Sequence, residues 1–140
     1  MGYKSPIKVT MTTGHGTITP WVVTTVYYFG DITRAPSATV NRQRVVSPVS
    51  GIIRSIAYRS FSLTTAGSNE AWAVYLRVND ATDYLIDTQS SAGPERVWFN
   101  DGLSIPIVKN QPLEFKTTTP NWVTPPSGTS GICYIVVDIE

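Results

Sequence analysis

One cysteine and one histidine stand in 140 residues, with two methionines, five leucines, four lysines and four glutamates. Each scarcity closes a class of function. A lone Cys133 cannot form an internal disulfide, so the disulfide-stapled secreted scaffolds are out. Inside the alternating run Ile132–Ile139 it is expected to be a small buried hydrophobe. His15 and Cys133 lie far apart in sequence, and no zinc-ligand spacing exists. Asp80, Asp83 and Asp87 fall outside any EF-hand register and, with Leu85 between Asp83 and Asp87 on one strand face, read as a solvated outer face. No metal and no cofactor is expected. His15 sits in a segment with no rigid frame to orient it, and no spacing favours a carboxylate pair among Glu70, Glu95, Asp101 and Glu114. Gly14-His15-Gly16 is too short for a phosphate loop and opens no helix. The chain is therefore read as a non-enzyme. The longest apolar-leaning run, Trp21 to Phe29, holds two threonines and is too short to cross a bilayer; nothing like a leader opens the chain, and no Asn-x-Ser/Thr occurs. A soluble chain without a membrane partner is expected.

What is abundant points one way. Eighteen threonines, 15 valines and 12 isoleucines fill almost a third of the positions. Branching at Cβ stiffens the side chain and suits a pleated surface, while the unbranched helix formers are scarce. An all-β fold follows. Ten glycines and ten prolines punctuate short runs without low-complexity bias.

Residues 1–20, with Pro6, Gly14, Gly16 and Pro20, predict an extended N-terminal arm, and residues 21–140 a β-sandwich domain. Trp21 to Phe29 predicts a strand apolar on both faces, Val22, Val26 and Tyr28 on one and Val23, Tyr27 and Phe29 on the other. A strand of a free two-layer sandwich should meet water on one side, so the arm or another chain should cover it. Arg42–Val46 predicts a short strand, and Gly51–Leu63 a long one with Ile52, Ile56 and Tyr58 on one parity. Ala71–Val78 alternates most cleanly, Trp72, Val74, Leu76 and Val78 pointing inward, and the turn Asn79-Asp80-Ala81 predicts a hairpin with Thr82–Gln89. Glu95–Phe99, Leu103–Val108 and Pro112–Thr118 follow, then a loop over 119–130 and a closing strand Gly131–Glu140. About eight short strands with turns every few residues imply an antiparallel sandwich or barrel.

Charge is balanced overall but split along the chain: residues 1–60 carry seven Lys or Arg against one acid, residues 61–140 four against nine. A sandwich interleaves the halves, so ion pairs within and between subunits are expected and no nucleic-acid partner. Arg42 and Arg44 share a strand face open to a partner. Four tryptophans raise a carbohydrate reading, because sugar rings stack on exposed aromatic faces. Trp98 beside Asn100 and Asp101, and Trp122 beside Asn121, are its candidate glycan contacts; Trp72 has the inward parity.

The runs Pro48–Tyr58, Val74–Asp80, Leu103–Phe115, Thr119–Pro126 and Gly131–Val137 resemble the small jelly-roll modules of tailed-bacteriophage particles, over about residues 45–140. The resemblance implies a jelly-roll-like sandwich, a homotrimer, and a structural place in the virion as a capsid decoration (cement) protein, head fibre or tail knob. It brings no catalytic residues. The resemblance implies as partners a second and third copy and the major capsid protein or another virion protein, and the residues themselves place the subunit or capsid contacts in the arm (Tyr3, Ile7 and Val9), on the two-faced strand (Val23, Tyr27 and Phe29) and at Arg42 and Arg44. The alternative is a tail- or particle-surface module that binds a host receptor or glycan.

Overall fold

The computed structural model describes residues 7–64, 70–90 and 93–139. Its strands are β1 (Ile7–Ile18), β2 (Val26–Phe29), β3 (Val45–Val46), β4 (Gly51–Thr64), β5 (Trp72–Val78), β6 (Thr82–Gln89), β7 (Glu95–Asn100), β8 (Ile105–Ile107), β9 (Pro112–Thr118) and β10 (Ser127–Ile139). All pairings are antiparallel. Sheet A runs β1-β10-β4-β7 with β8 on β4, and sheet B runs β2-β9-β5-β6 with β3 on β9. β2 and β3 lie end to end along one side of β9, and β7 and β8 along one side of β4. Counted as one interrupted strand each, they leave eight positions ordered 1-8-3-6 against 2-7-4-5, the double Greek key of a jelly roll. The expected all-β sandwich is what forms.

The hairpin β5–β6 follows its sequence. Asn79 and Asp80 take φ of 55° and 56°, which their short polar side chains tolerate, and the Ala81 N–H closes onto the Val78 carbonyl at 3.2 Å. Trp72, Val74, Leu76 and Val78 all turn inward. Between the sheets runs a chain of rings: Phe115 stacks on Phe29 at 5.3 Å, Tyr58 on Trp98 at 4.8 Å, and Trp72 meets Trp98, Trp122 and Trp21 edge-on at 4.8, 4.9 and 5.3 Å. These geometries are the ones the ring quadrupole favours.

Four expectations are corrected. Over residues 7–18 the arm is a strand: Ile7, Val9 and Met11 alternate with Lys8, Thr10 and Thr12, and the free edge of β10 takes them up from Ile7↔Ile139 to His15↔Gly131. Trp21–Thr25 is not strand, and the two-faced strand shrinks to Val26–Phe29, whose Tyr27 and Phe29 are buried in the chain's own core. No second chain is needed to cover them. Of Arg42–Val46 only Val45–Val46 pairs, because Asn41 and Gln43 donate their backbone N–H to the buried Glu114 carboxylate at 3.2 and 3.0 Å. Finally, β4 buries Ile53 where Ile52 was expected. Val136 and Val137 of β10 face Ser55 and Ile53, so Arg54 is an extra residue that switches the parity of the strand.

Candidate interaction surface

Tyr3 lies outside the described residues. Ile7 is exposed at the start of β1, and Val9 lines a groove at the sandwich's side. Val23 packs half-buried against the core. Tyr27 and Phe29, expected as contacts, are core, and burial leaves neither side chain a surface to offer. Arg42 is exposed, while Arg44 is engaged by Asp80 at 2.6 Å. Trp98 and Trp122 are 0% and 4% exposed, so neither offers a face to a sugar. The Trp98 indole N–H donates to the Trp72 carbonyl at 2.8 Å, a polar partner that lets the whole ring go inside. Asn100 spends its amide on the Ile86 carbonyl and the Gly102 N–H, leaving Asp101 exposed beside it.

The three titratable groups of catalytic interest are locked in the core. His15, read as lying in a loose arm, is instead fixed by β1: its Nε2 is 2.6 Å from the Tyr58 hydroxyl and its Nδ1 2.8 Å from the Gly16 carbonyl. A carbonyl only accepts, so Nδ1 carries the proton and Nε2 accepts from Tyr58. Burial pushes the ring's pKa down to about 4. Gly131 makes room for the pair, since a Cβ there would stand 2.5 Å from His15 Nε2. Cys133 is fully buried, as its alternation implied, and burial raises its thiol pKa and that of Tyr58 well above their usual values. No group of three or more His, Cys, Asp or Glu is placed to hold a metal among the described residues.

What the sequence reading missed lies on the outer face of sheet A. Register aligns Tyr134–Ala57–Phe99, Ile132–Arg59–Val97 and Ser130–Phe61–Glu95 across β10, β4 and β7. Phe61, Val97, Phe99 and Tyr134 are 42–52% exposed, and Leu63 next along β4 is 82% exposed. Aromatic side chains carry on the order of 150–250 Å² each, so this face leaves roughly 400–500 Å² of apolar surface in water, near the top of what a monomer normally shows. One ion pair sits within it, Arg59 to Glu95 at 3.0 Å, and the pairing holds the Glu95 carboxyl below its usual pKa. Sheet B's outer face is different: Asp83 lies between Lys116 at 2.8 Å and Arg77 at 3.6 Å, a charged ladder, as the reading of Asp83 as solvated implied. The signal for the apolar face was present in the alternation Phe61, Leu63 and Val97, Phe99, but alternation alone does not say which parity is inside.

No protein-family model and no characterised sequence matches the chain. Among solved structures, it is similar to the crystal structure of FlhE at 13% identity, over 94% of this chain and 97% of that one, with TM-score 0.45. It is similar to dimeric latent PorU from Porphyromonas gingivalis at 7% identity, over 95% of this chain and 13% of that one, with TM-score 0.51. It is also similar to the structure of infectious bursal disease virus strain Gx at 9% identity, over 95% of this chain and 30% of that one, with TM-score 0.33. The likeness to PorU is one of fold alone.

Proposed function

We propose that the chain is a structural virion protein, a capsid decoration subunit that assembles as a homotrimer and docks on the major capsid protein through the outer face of sheet A. The observation that carries the reading is the apolar stretch of sheet A's outer face formed by Phe61, Leu63, Val97, Phe99 and Tyr134, which holds one ion pair, Arg59–Glu95; the Lys8–Asp138–Arg54 cluster lies at the other end of that face, and the outer face of sheet B carries its charges around Asp83. An apolar face of this size is costly in water and gains on burial at about 25 cal/mol per Å² before association costs. Its action is mechanical, tying neighbouring capsid subunits together by mass action. The resemblance to phage jelly-roll modules supplies the virion setting, and the jelly-roll strand order is compatible with it as fold-level analogy.

The reading predicts a particle mass in light scattering that is a multiple of three times the 15.4 kDa chain. It also predicts that Phe99→Asp, at an exposed position, keeps the fold and weakens co-sedimentation with capsids lacking the decoration by about 30-fold or more, the size of a central contact. Capsid binding unchanged in Phe99→Asp but lost in Asp83→Ala would overturn it.

A further inference from the structure

Sheet edges are open rows of backbone donors and acceptors, and three of the four in this sandwich are managed. β2 is covered where Tyr28 and Ser37 exchange backbone hydrogen bonds at 2.8 and 2.9 Å. β6 is bulged, since Val74 and Tyr75 face Asp87 and Leu85 with Ile86 extra, and it carries Asp83 and Asp87. β7 is tied to β6 by the Asn100 amide on the Ile86 carbonyl and the Phe99 N–H on the Asp87 carboxylate at 3.1 Å. Bulges, charges and covers of this kind are how sheets avoid pairing edge to edge.

β1 is different. Its far end is closed, Gly14 bridging Gly30 and the Gly16 N–H donating to the Arg34 carbonyl at 2.7 Å. From Ile7 to Thr13 it pairs only with β10 among the described residues, and the other edge of this stretch carries no strand. The stretch has no proline and no bulge, and its one charge, Lys8, is already held by Asp138 at 2.5 Å. Beside it a groove of about 340 Å³ runs between the sheets, lined by Val9, Met11, Val45, Val46, Pro48 and Ile135 among others. Val46 is exposed at its lip.

We propose that this edge pairs with β1 of a second copy, antiparallel, about a two-fold axis through Thr10. The free stretch 7–13 is symmetric about Thr10, so this is the register that pairs all of it. Thr10 then faces Thr10 of the other copy, a favourable cross-strand pair, and Lys8 faces Thr12, so no like charges are opposed. Val9 faces Met11 on the inward parity, and the two grooves close on one another. Any other occupant must bring a free edge of matching length, and this chain supplies one itself. Pairing also makes the two sheets A continuous, setting both apolar outer faces side by side. The contact doubles whatever unit the chain otherwise forms, and it stands apart from docking through sheet A.

Single-cysteine cross-linking tests the register, with Cys133 buried and out of reach of oxidant. Opposed residues of an antiparallel pair have Cα atoms about 4.5–5.5 Å apart, within disulfide range. Full-length Thr10→Cys should form a disulfide-linked pair on mild oxidation, and Thr12→Cys alone should not. Lys8→Cys mixed with Thr12→Cys should. Adding Val46→Glu to Thr10→Cys should abolish the link, while circular dichroism stays native. Light scattering without oxidant separates this proposal from the trimer: an even multiple of the chain mass that falls by half in Val46→Glu supports pairing, whether the halved unit is three chains or one. Equal linking in Thr10→Cys and Thr12→Cys, no linking in either, or a mass indifferent to Val46→Glu would each overturn it.

Discussion

Acidification from pH 7.5 to 4 should weaken the fold by about 3 kcal/mol through His15 alone. The ring is 2% exposed, sits among Trp21, Phe29 and Tyr58, and is neutral with its proton on Nδ1. A second proton on Nε2 would confront the hydroxyl that now donates to it and place a charge among aromatic rings. Burial lowers the folded pKa to about 4, against the ordinary 6.5 that the unfolded chain keeps. Above pH 6.5 both states are neutral and His15 makes no difference. Between 6.5 and 4 the unfolded state binds a proton that the folded state refuses, so stability falls by about 1.4 kcal/mol per pH unit. Below 4 both states are protonated and the loss stops. Other groups do not imitate this window: Tyr58 and Cys133 are raised and stay neutral. Asp31, Glu95 and Asp138 are lowered by their hydrogen bonds to Thr33, Arg59 and Lys8. Their contributions persist at neutral pH and are lost only as pH drops beneath the carboxylate range. Urea unfolding followed by tryptophan fluorescence at half-unit pH steps measures the slope. In His15→Gln the slope between pH 6.5 and 4.5 should flatten, whatever the variant's absolute stability. A variant that keeps the wild-type slope, or a wild type flat across that window, would refute the assignment.

Two further outcomes follow from the core. Trp98→Ala should cost about 3–5 kcal/mol in urea unfolding, by opening a cavity beside Trp72 and stranding the carbonyl that accepted its N–H; a variant of wild-type stability that lost only glycan binding would return Trp98 to the surface. Glu114→Gln should cost about 1.5–3 kcal/mol, since the buried carboxylate accepts two backbone N–H bonds. Hydrogen exchange should speed up at the Asn41 and Gln43 amides first.

The strands were legible where pattern and turn agreed. β5 and β6 could be read because a clean period of two meets a turn whose two residues tolerate positive φ. β9 could be read inward at Leu113 and Phe115, but its Glu114 could not be foreseen as buried, because the segment that caps it is 71 and 73 positions away. Ile52 and Ile53 were inverted by one extra residue, Arg54, whose carbonyl receives the Leu103 N–H at 3.0 Å. A bulge of this kind leaves no local mark, since every residue in it would also suit a regular strand. The arm was misread because Gly14, Gly16 and Pro20 broke a pattern whose partner strand lies at the other end of the chain.

The apolar outer face turns on a choice the sequence left open. In β7, Arg96 and Trp98 share one parity and Val97 and Phe99 the other. Simple hydropathy would put Phe99 and Val97 inside and Arg96 in water. The fold does the reverse because an indole buries more area than either alternative and finds a carbonyl for its N–H in Trp72. The consequence falls on both sides of the sheet. Inside, Arg96 is drawn down until its guanidinium lies 5.3 Å from the Trp72 ring, and burial lowers its pKa. Outside, Phe99 and Val97 join Tyr134 and Phe61 in water. One large side chain in the core therefore sets which residues stand on the outer face of sheet A, and a reading of that face from single-strand hydrophobicity selects the wrong tryptophan and overlooks the phenylalanine next to it.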